Sequence, residues 1–241
     1  QVRPVINRPV IEFWRSTIGK KVIVAVTGAI LVGYLILHML GNLNSLFGPG
    51  GIEPRIDWYG HWLRDFGEPL LPHSFVVWVV RVVLLGAIVT HITGIVQLTR
   101  RNKQARPVNY PARRIGRSVE ATAMLGTGVL LTAFIVFHIL QFTTLSIHVT
   151  PVESGHIYAN LYWAFQEWYF LVIYVIALLI VGMHLRHGIW SAFQTLGLDN
   201  PSRNPKLRHG ATALTVVLII GFGAVPVLFY LLLHALPGIR E

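Results

Sequence analysis

Long apolar runs, separated by short polar clusters, dominate this chain. Five of them are long enough to cross a bilayer, whose hydrocarbon core takes about 20 helical residues. They fall near 22–46, 74–98, 120–146, 168–193 and 211–236. The connections are short, so residues 1–241 read as one all-α domain, an integral membrane bundle of five transmembrane helices. Residues 1–21 form a polar lead-in, where Pro4 and Pro9 work against any long helix. Its basic, proline-containing character and the length of the run that follows do not fit a cleaved leader.

Two connections on one side are rich in aromatics. The stretch 47–73 contains Asp57, Trp58, Tyr59, His61, Trp62, Arg64 and Asp65, which suit a short amphipathic helix at the headgroups. The stretch 147–167 leads through Tyr158, Tyr162, Trp163 and Phe165 to Trp168. An aromatic belt is the default account of both. Between the second and third runs, Pro107 and Pro111 make the loop non-helical. Pro226 is expected to kink the fifth run.

Composition sharpens the class. Hydrophobic residues make up 54% of the 241, and charged residues only 12%, about half the usual share for a soluble domain. The net charge of +10 is distributed by topology. Arg3, Arg8, Arg15, Lys20 and Lys21 precede the first run. Arg100, Arg101, Lys103, Arg106, Arg113, Arg114 and Arg117 lie between the second and third, and Arg203, Lys206 and Arg208 between the fourth and fifth. The other side holds Arg55, Arg64 and Arg240 with most of the acids. The positive-inside rule therefore expects a cytoplasmic N-terminus and an outside C-terminus. The basic loops suit a cytoplasmic partner or anionic lipid, and no aromatic-interleaved basic motif points to nucleic acid. Cysteine is absent, which excludes disulfides, thiolate metal sites and thioether-attached haem from this chain.

The candidate chemistry is histidine. His38, His91, His138 and His184 sit one each in the first four runs. Ionisable groups in a bilayer are costly and mark function by default. Imidazole is also a common haem ligand. Depth sorts them. At 1.5 Å per residue, His38 lies roughly 25 Å beyond Lys21, and His138 roughly 30 Å beyond Arg117. His91 precedes Arg100 by roughly 13 Å, and His184 precedes Gln194 by roughly 15 Å. Two layers result, His38 with His138 (outer) and His91 with His184 (inner), each able to clamp one haem. Gly41, Gly94 and Gly188 lie one turn from His38, His91 and His184, and offer a side-chain-free patch to a flat macrocycle. Helix packing alone also accounts for glycines, and an interhelical hydrogen bond for any single histidine.

At these residues the chain resembles a known family, the single-polypeptide, five-helix, di-haem cytochrome b anchor of succinate:quinone oxidoreductases (complex II). FWRSTIGKK before the first run, TGAILVGYLILHMLGN within it, HLRHGIWSAFQTLG closing the fourth and the four histidines carry the resemblance. It implies two haem b groups, the outer on His38 and His138, the inner on His91 and His184. It implies partners too, a flavoprotein subunit doing the succinate chemistry of the tricarboxylic acid cycle and an iron–sulfur subunit, on the cytoplasmic membrane. Electrons would then pass to a membrane quinone, menaquinone or ubiquinone. A glycine four residues after the fourth ligand, Gly188, favours His184 over His187. Some fumarate-reducing members carry a glutamate two residues before that ligand. Gly182 stands here, which favours succinate oxidation.

Quinone or propionate candidates are Arg15, Ser16 and Lys20 on the inner side and Trp58, Tyr59 and His61 on the outer. Interfacial anchoring accounts for each of them equally well. A higher oligomer is compatible with all of this. A haem-free anchor of the same complex and a non-redox transporter with a histidine proton relay are the alternative readings.

Overall fold

The structure, a computed structural model, describes residues 8–47, 54–105, 119–148 and 152–235. Those residues are helical without strands. In chain order the helices are α1 (Arg8–Arg15), α2 (Thr17–Asn42, extended by a tight 3-10 turn Leu43–Phe47), α3 (Arg55–Asp65), α4 (Phe75–Gln104), α5 (Val119–Phe142), α6 (Ile157–Gln166), α7 (Trp168–Thr195) and α8 (Asn204–Ala235). Five of them, α2, α4, α5, α7 and α8, are long and apolar enough to span a membrane.

The expected spans are recovered with shifted ends. α2 begins at Thr17 rather than near 22, because Ser16 caps it. Its Oγ accepts from the Gly19 N–H at 2.8 Å and donates to the Phe13 carbonyl at 2.8 Å. α4 runs on past 98 to Gln104, and its last turn carries Arg101 and Lys103, which suit the negative end of a helix. Helix also appears in the lead-in and in the second aromatic connection. Pro9 falls in the first turn of α1, where a missing N–H costs nothing, so it begins a helix rather than breaking one. α6 occupies much of the connection at 147–167. Tyr158 and Tyr162 turn towards Phe229 of α8, with ring centres at 5.4 and 6.1 Å, and Phe165 is buried. Only Trp163 and Trp168 of that group remain exposed as a belt would require. α8 stays helical through Pro226. The loop with Pro107 and Pro111 lies outside the described residues.

α3 and α6 close the end at which α2 finishes. The buried Asp57 of α3 accepts the Tyr158 N–H through Oδ1 at 2.8 Å, so one cap helix anchors the first turn of the other. Ile56, Leu161, Phe165, Val225 and Phe229 form the apolar core there. A second core, Met39, Leu185 and Leu218, ties α2, α7 and α8 together. α7 and α8 approach closely at Gly182, where a Cβ would come 2.5 Å from Ile219 Cδ1.

The side-by-side order of the spans is α4, α2, α7, α5, with α8 laid against α2 and α7. α4 packs on α2, and α5 packs on α7. Among the described residues, α4 with α5, α2 with α5 and α4 with α7 are not closely packed pairs. α4 and α5 are consequently thinly buried, 6% of each apolar window against 28% for α7 and α8.

Candidate functional site

His38 and His138 meet between α2 and α5, and His91 and His184 come near one another between α4 and α7. His38 on α2 and His138 on α5 have ring centres 5.8 Å apart with planes 83° apart. His91 on α4 and His184 on α7 lie within electrostatic range of one another.

The surroundings set how each ring presents itself. His91 Nδ1 lies 3.2 Å from Thr27 Oγ1 and 3.1 Å from the Val24 carbonyl of α2. His184 Nδ1 lies 3.1 Å from Thr127 Oγ1 of α5. Both threonine hydroxyls donate back to carbonyls of their own helix, Thr27 to Ile23 and Val24, Thr127 to Ala123 and Met124. Their oxygens are thus left to accept, and each imidazole donates through Nδ1–H. His138 follows the same rule with different groups. Its Nδ1 lies 3.0 Å from Tyr174 Oη, and that hydroxyl donates to Gln141 Oε1 at 2.9 Å. In these three residues the Nε2 lone pair stays open, the state in which imidazole binds a metal. His38 differs, since its Nε2 faces Asn42 Nδ2 across a long 3.4 Å contact.

Aromatic rings wall the His38–His138 pair. Tyr34 stacks on His38 at 5.3 Å, Phe222 sits at 5.6 Å from the same ring, and Phe134 and Phe142 flank His138 at 6.0 and 5.6 Å. The His91–His184 pair is flanked by glycines instead. A Cβ on Gly28 would stand 3.3 Å from His91 Cε1, and one on Gly128 would stand 3.6 Å from His184 Cε1.

The glycines expected to make room were others. Gly41 is covered by Tyr59, whose Cε1 would be 3.0 Å from an added Cβ. Gly94 is packed on Val24, at 2.6 Å by the same measure, and Gly188 faces Met124 at 4.0 Å. These positions seat neighbouring side chains rather than an open patch. Gly94 and His91 both lie on the face of α4 that packs on α2, and the Val24 side chain fills the space beside Gly94.

The quinone candidates are dispersed. Ser16 is committed to the cap of α2, and Lys20 is buried, its Nζ donating to the Trp14 carbonyl at 2.5 Å and lying 4.7 Å over the Trp14 ring. Arg15 is exposed. At the other end Tyr59 stacks on Trp62 at 5.9 Å, Trp58 is exposed, and His61 lies beside Gly155.

Residues not anticipated are Thr27, Thr127, Tyr174, Gln141 and Arg81. The first two had a legible signal, the same Thr-Gly dipeptide in the first and third spans. Arg81 sits within α4, over the Trp78 ring at 4.8 Å and within electrostatic range of Tyr34. Set against known family models, curated proteins and solved structures, the chain matches none of them.

Proposed function

We propose that this chain is a membrane cytochrome b, the anchor subunit of a succinate:quinone oxidoreductase, and that it passes electrons from an iron–sulfur partner to a membrane quinone. The observation that carries the reading is the pairing of the four span histidines. His38 of α2 faces His138 of α5, and His91 of α4 comes near His184 of α7, and these four imidazoles would hold two haem groups.

His38 and His138, with ring centres 5.8 Å apart, would hold one haem b, and His91 and His184 would hold the second. His91, His138 and His184 offer an open Nε2, and His38 needs only to release Asn42. A bound haem supplies one-electron transfer. The chain's own residues do the rest. Thr27, Thr127 and Tyr174 orient the ligands, the aromatic wall around His38 and His138 excludes water, and Arg81 offers a cation to a propionate.

The charge pattern orients the proposal. The basic ends beside α1 and the start of α8 face the cytoplasm and the flavoprotein and iron–sulfur subunits, with α3 and α6 on the far side. The missing acid at Gly182 favours succinate oxidation.

The test is a redox-titrated visible spectrum of the purified protein with a pyridine haemochrome count. Two b haems per chain are expected. A protein purified from haem-sufficient cells with none overturns the reading.

A further inference from the structure

We propose that the seam between α7 and α8 holds an anionic phospholipid, its phosphate bound by Arg186 and Arg208 and an acyl chain laid along the apolar track that starts beside them. The proposal is independent of the haem reading and rests on charge, depth and exposure.

The two arginines cross the seam one turn apart. Arg186 Nε on α7 donates to Thr212 Oγ1 on α8 at 3.3 Å, and the Arg208 guanidinium on α8 lies 3.8 Å from the centre of the Trp190 ring on α7. Trp190 follows Arg186 by four residues, as Thr212 follows Arg208, so each pair shares one helix face and the two contacts stand roughly 6 Å apart along the seam. Arg208 is held further by its Nε, which donates to Asn204 Oδ1 at 2.9 Å. Both arginines are exposed. Two guanidiniums on one side of a seam repel each other, and the helices bring no carboxylate to offset this. Neither Trp168–Thr195 nor Asn204–Ala235 contains an aspartate or a glutamate. Among the described residues Arg208 forms no ion pair. An external anion completes the arrangement.

Depth selects a lipid as the source of that anion. No arginine or lysine precedes Arg186 in α7, and none follows Arg208 in α8. The pair therefore marks the level at which both spans leave the hydrocarbon, where phospholipid phosphates lie. Guanidinium matches phosphate with parallel N–H donors, and stacking on Trp190 preorganises Arg208 for it. An apolar track leads from this level into the bilayer. Met183 and Leu179 stand three and seven residues before Arg186, and are 42% and 58% exposed. Val216 and Ile220 stand four and eight residues after Thr212, and are 46% and 66% exposed. These spacings keep all four on the faces that carry the arginines. A free phosphate would use the arginines and leave the track unused, whereas a phospholipid uses both.

The experiment follows binding to the full chain in a non-ionic detergent by native mass spectrometry, titrating phosphatidylglycerol, phosphatidylcholine and inorganic phosphate separately. Phosphatidylglycerol is expected to bind most tightly. Arg186→Gln and Arg208→Gln should each weaken it about five-fold, the equivalent of about 1 kcal/mol per cation at a membrane surface, and leave phosphatidylcholine unchanged. Arg203→Gln removes an exposed cation in the turn before α8 and should change nothing. Haem content, read on the same samples, should be the same in all three variants. If Arg186→Gln does not fold, Arg208→Gln and cross-linking by a phosphatidylglycerol with a photoreactive acyl chain carry the test, with label expected on 179–190 and 208–220. An equal loss in Arg203→Gln would reduce the effect to general surface charge and overturn the site. So would phosphatidylcholine or inorganic phosphate binding as tightly as phosphatidylglycerol, label confined to other helices, or haem lost with either arginine.

Discussion

Thr127 Oγ1 lies 3.1 Å from His184 Nδ1, and Thr27 Oγ1 lies 3.2 Å from His91 Nδ1. In each case a hydroxyl whose proton is held by its own helix accepts from a histidine on the next. That arrangement favours the Nδ1–H tautomer in both histidines. Thr27→Val and Thr127→Val are each expected to lower haem affinity by about 10–100-fold, with Thr→Ser restoring it. Nitrogen NMR of the haem-free protein gives an independent readout, since His91 and His184 should lose their preference for Nδ1–H in the valine variants. Unchanged tautomers would remove the threonines from the site.

The two histidine pairs should fail separately. Replacing His38 or His138 by alanine is expected to remove one b-type component from the redox titration, and replacing His91 or His184 the other. The double variant His38→Ala/His138→Ala should lose no more haem than either single one, because the two residues act as a unit. Loss of both components from every single variant would show collapse of the bundle rather than removal of a ligand.

Gly182 is a packing position. Its Cβ would meet Ile219 Cδ1 at 2.5 Å, so Gly182→Leu pushes α7 from α8. Overpacking of this kind costs about 1–3 kcal/mol, and thermal unfolding in detergent should show a lowered Tm. Gly182→Ala should show a smaller loss, because the far end of Ile219 can move.

Asp57 holds the two cap helices together by accepting the Tyr158 N–H. Asp57→Ala should cost about 1 kcal/mol, as loss of a helix cap does, and should expose the segment at 152–167 to limited proteolysis. Asp57→Asn, which still accepts, should be milder. Equal protection in all three proteins would show that the core of Ile56 and Phe165 suffices alone.

The orientation can be read directly, because the chain has no native cysteine. Arg15→Cys lies on an exposed site at the end of α1, and Leu70→Cys on a site 92% exposed beyond α3. An impermeant thiol reagent applied to intact cells should label Leu70→Cys and spare Arg15→Cys. The opposite pattern would invert the topology proposed from the basic loops.

The spans and their number were legible in the amino-acid order. Bilayer thickness and the rise of a helix are local rules that need no knowledge of neighbours. Helix ends were less legible. Ser16 as a cap, and Pro9 as a helix start, depend on single hydrogen bonds and positions that hydropathy does not weigh. What tertiary packing alone decided is which helix sits beside which. That order turned Gly41 and Gly94 towards Tyr59 and Val24, placed Gly28 and Gly128 under the His91 and His184 rings, and put Tyr174 between His138 and Gln141. In a span that is apolar on every side, periodicity does not say which face meets protein and which meets lipid. Only the fit of neighbouring side chains makes that choice.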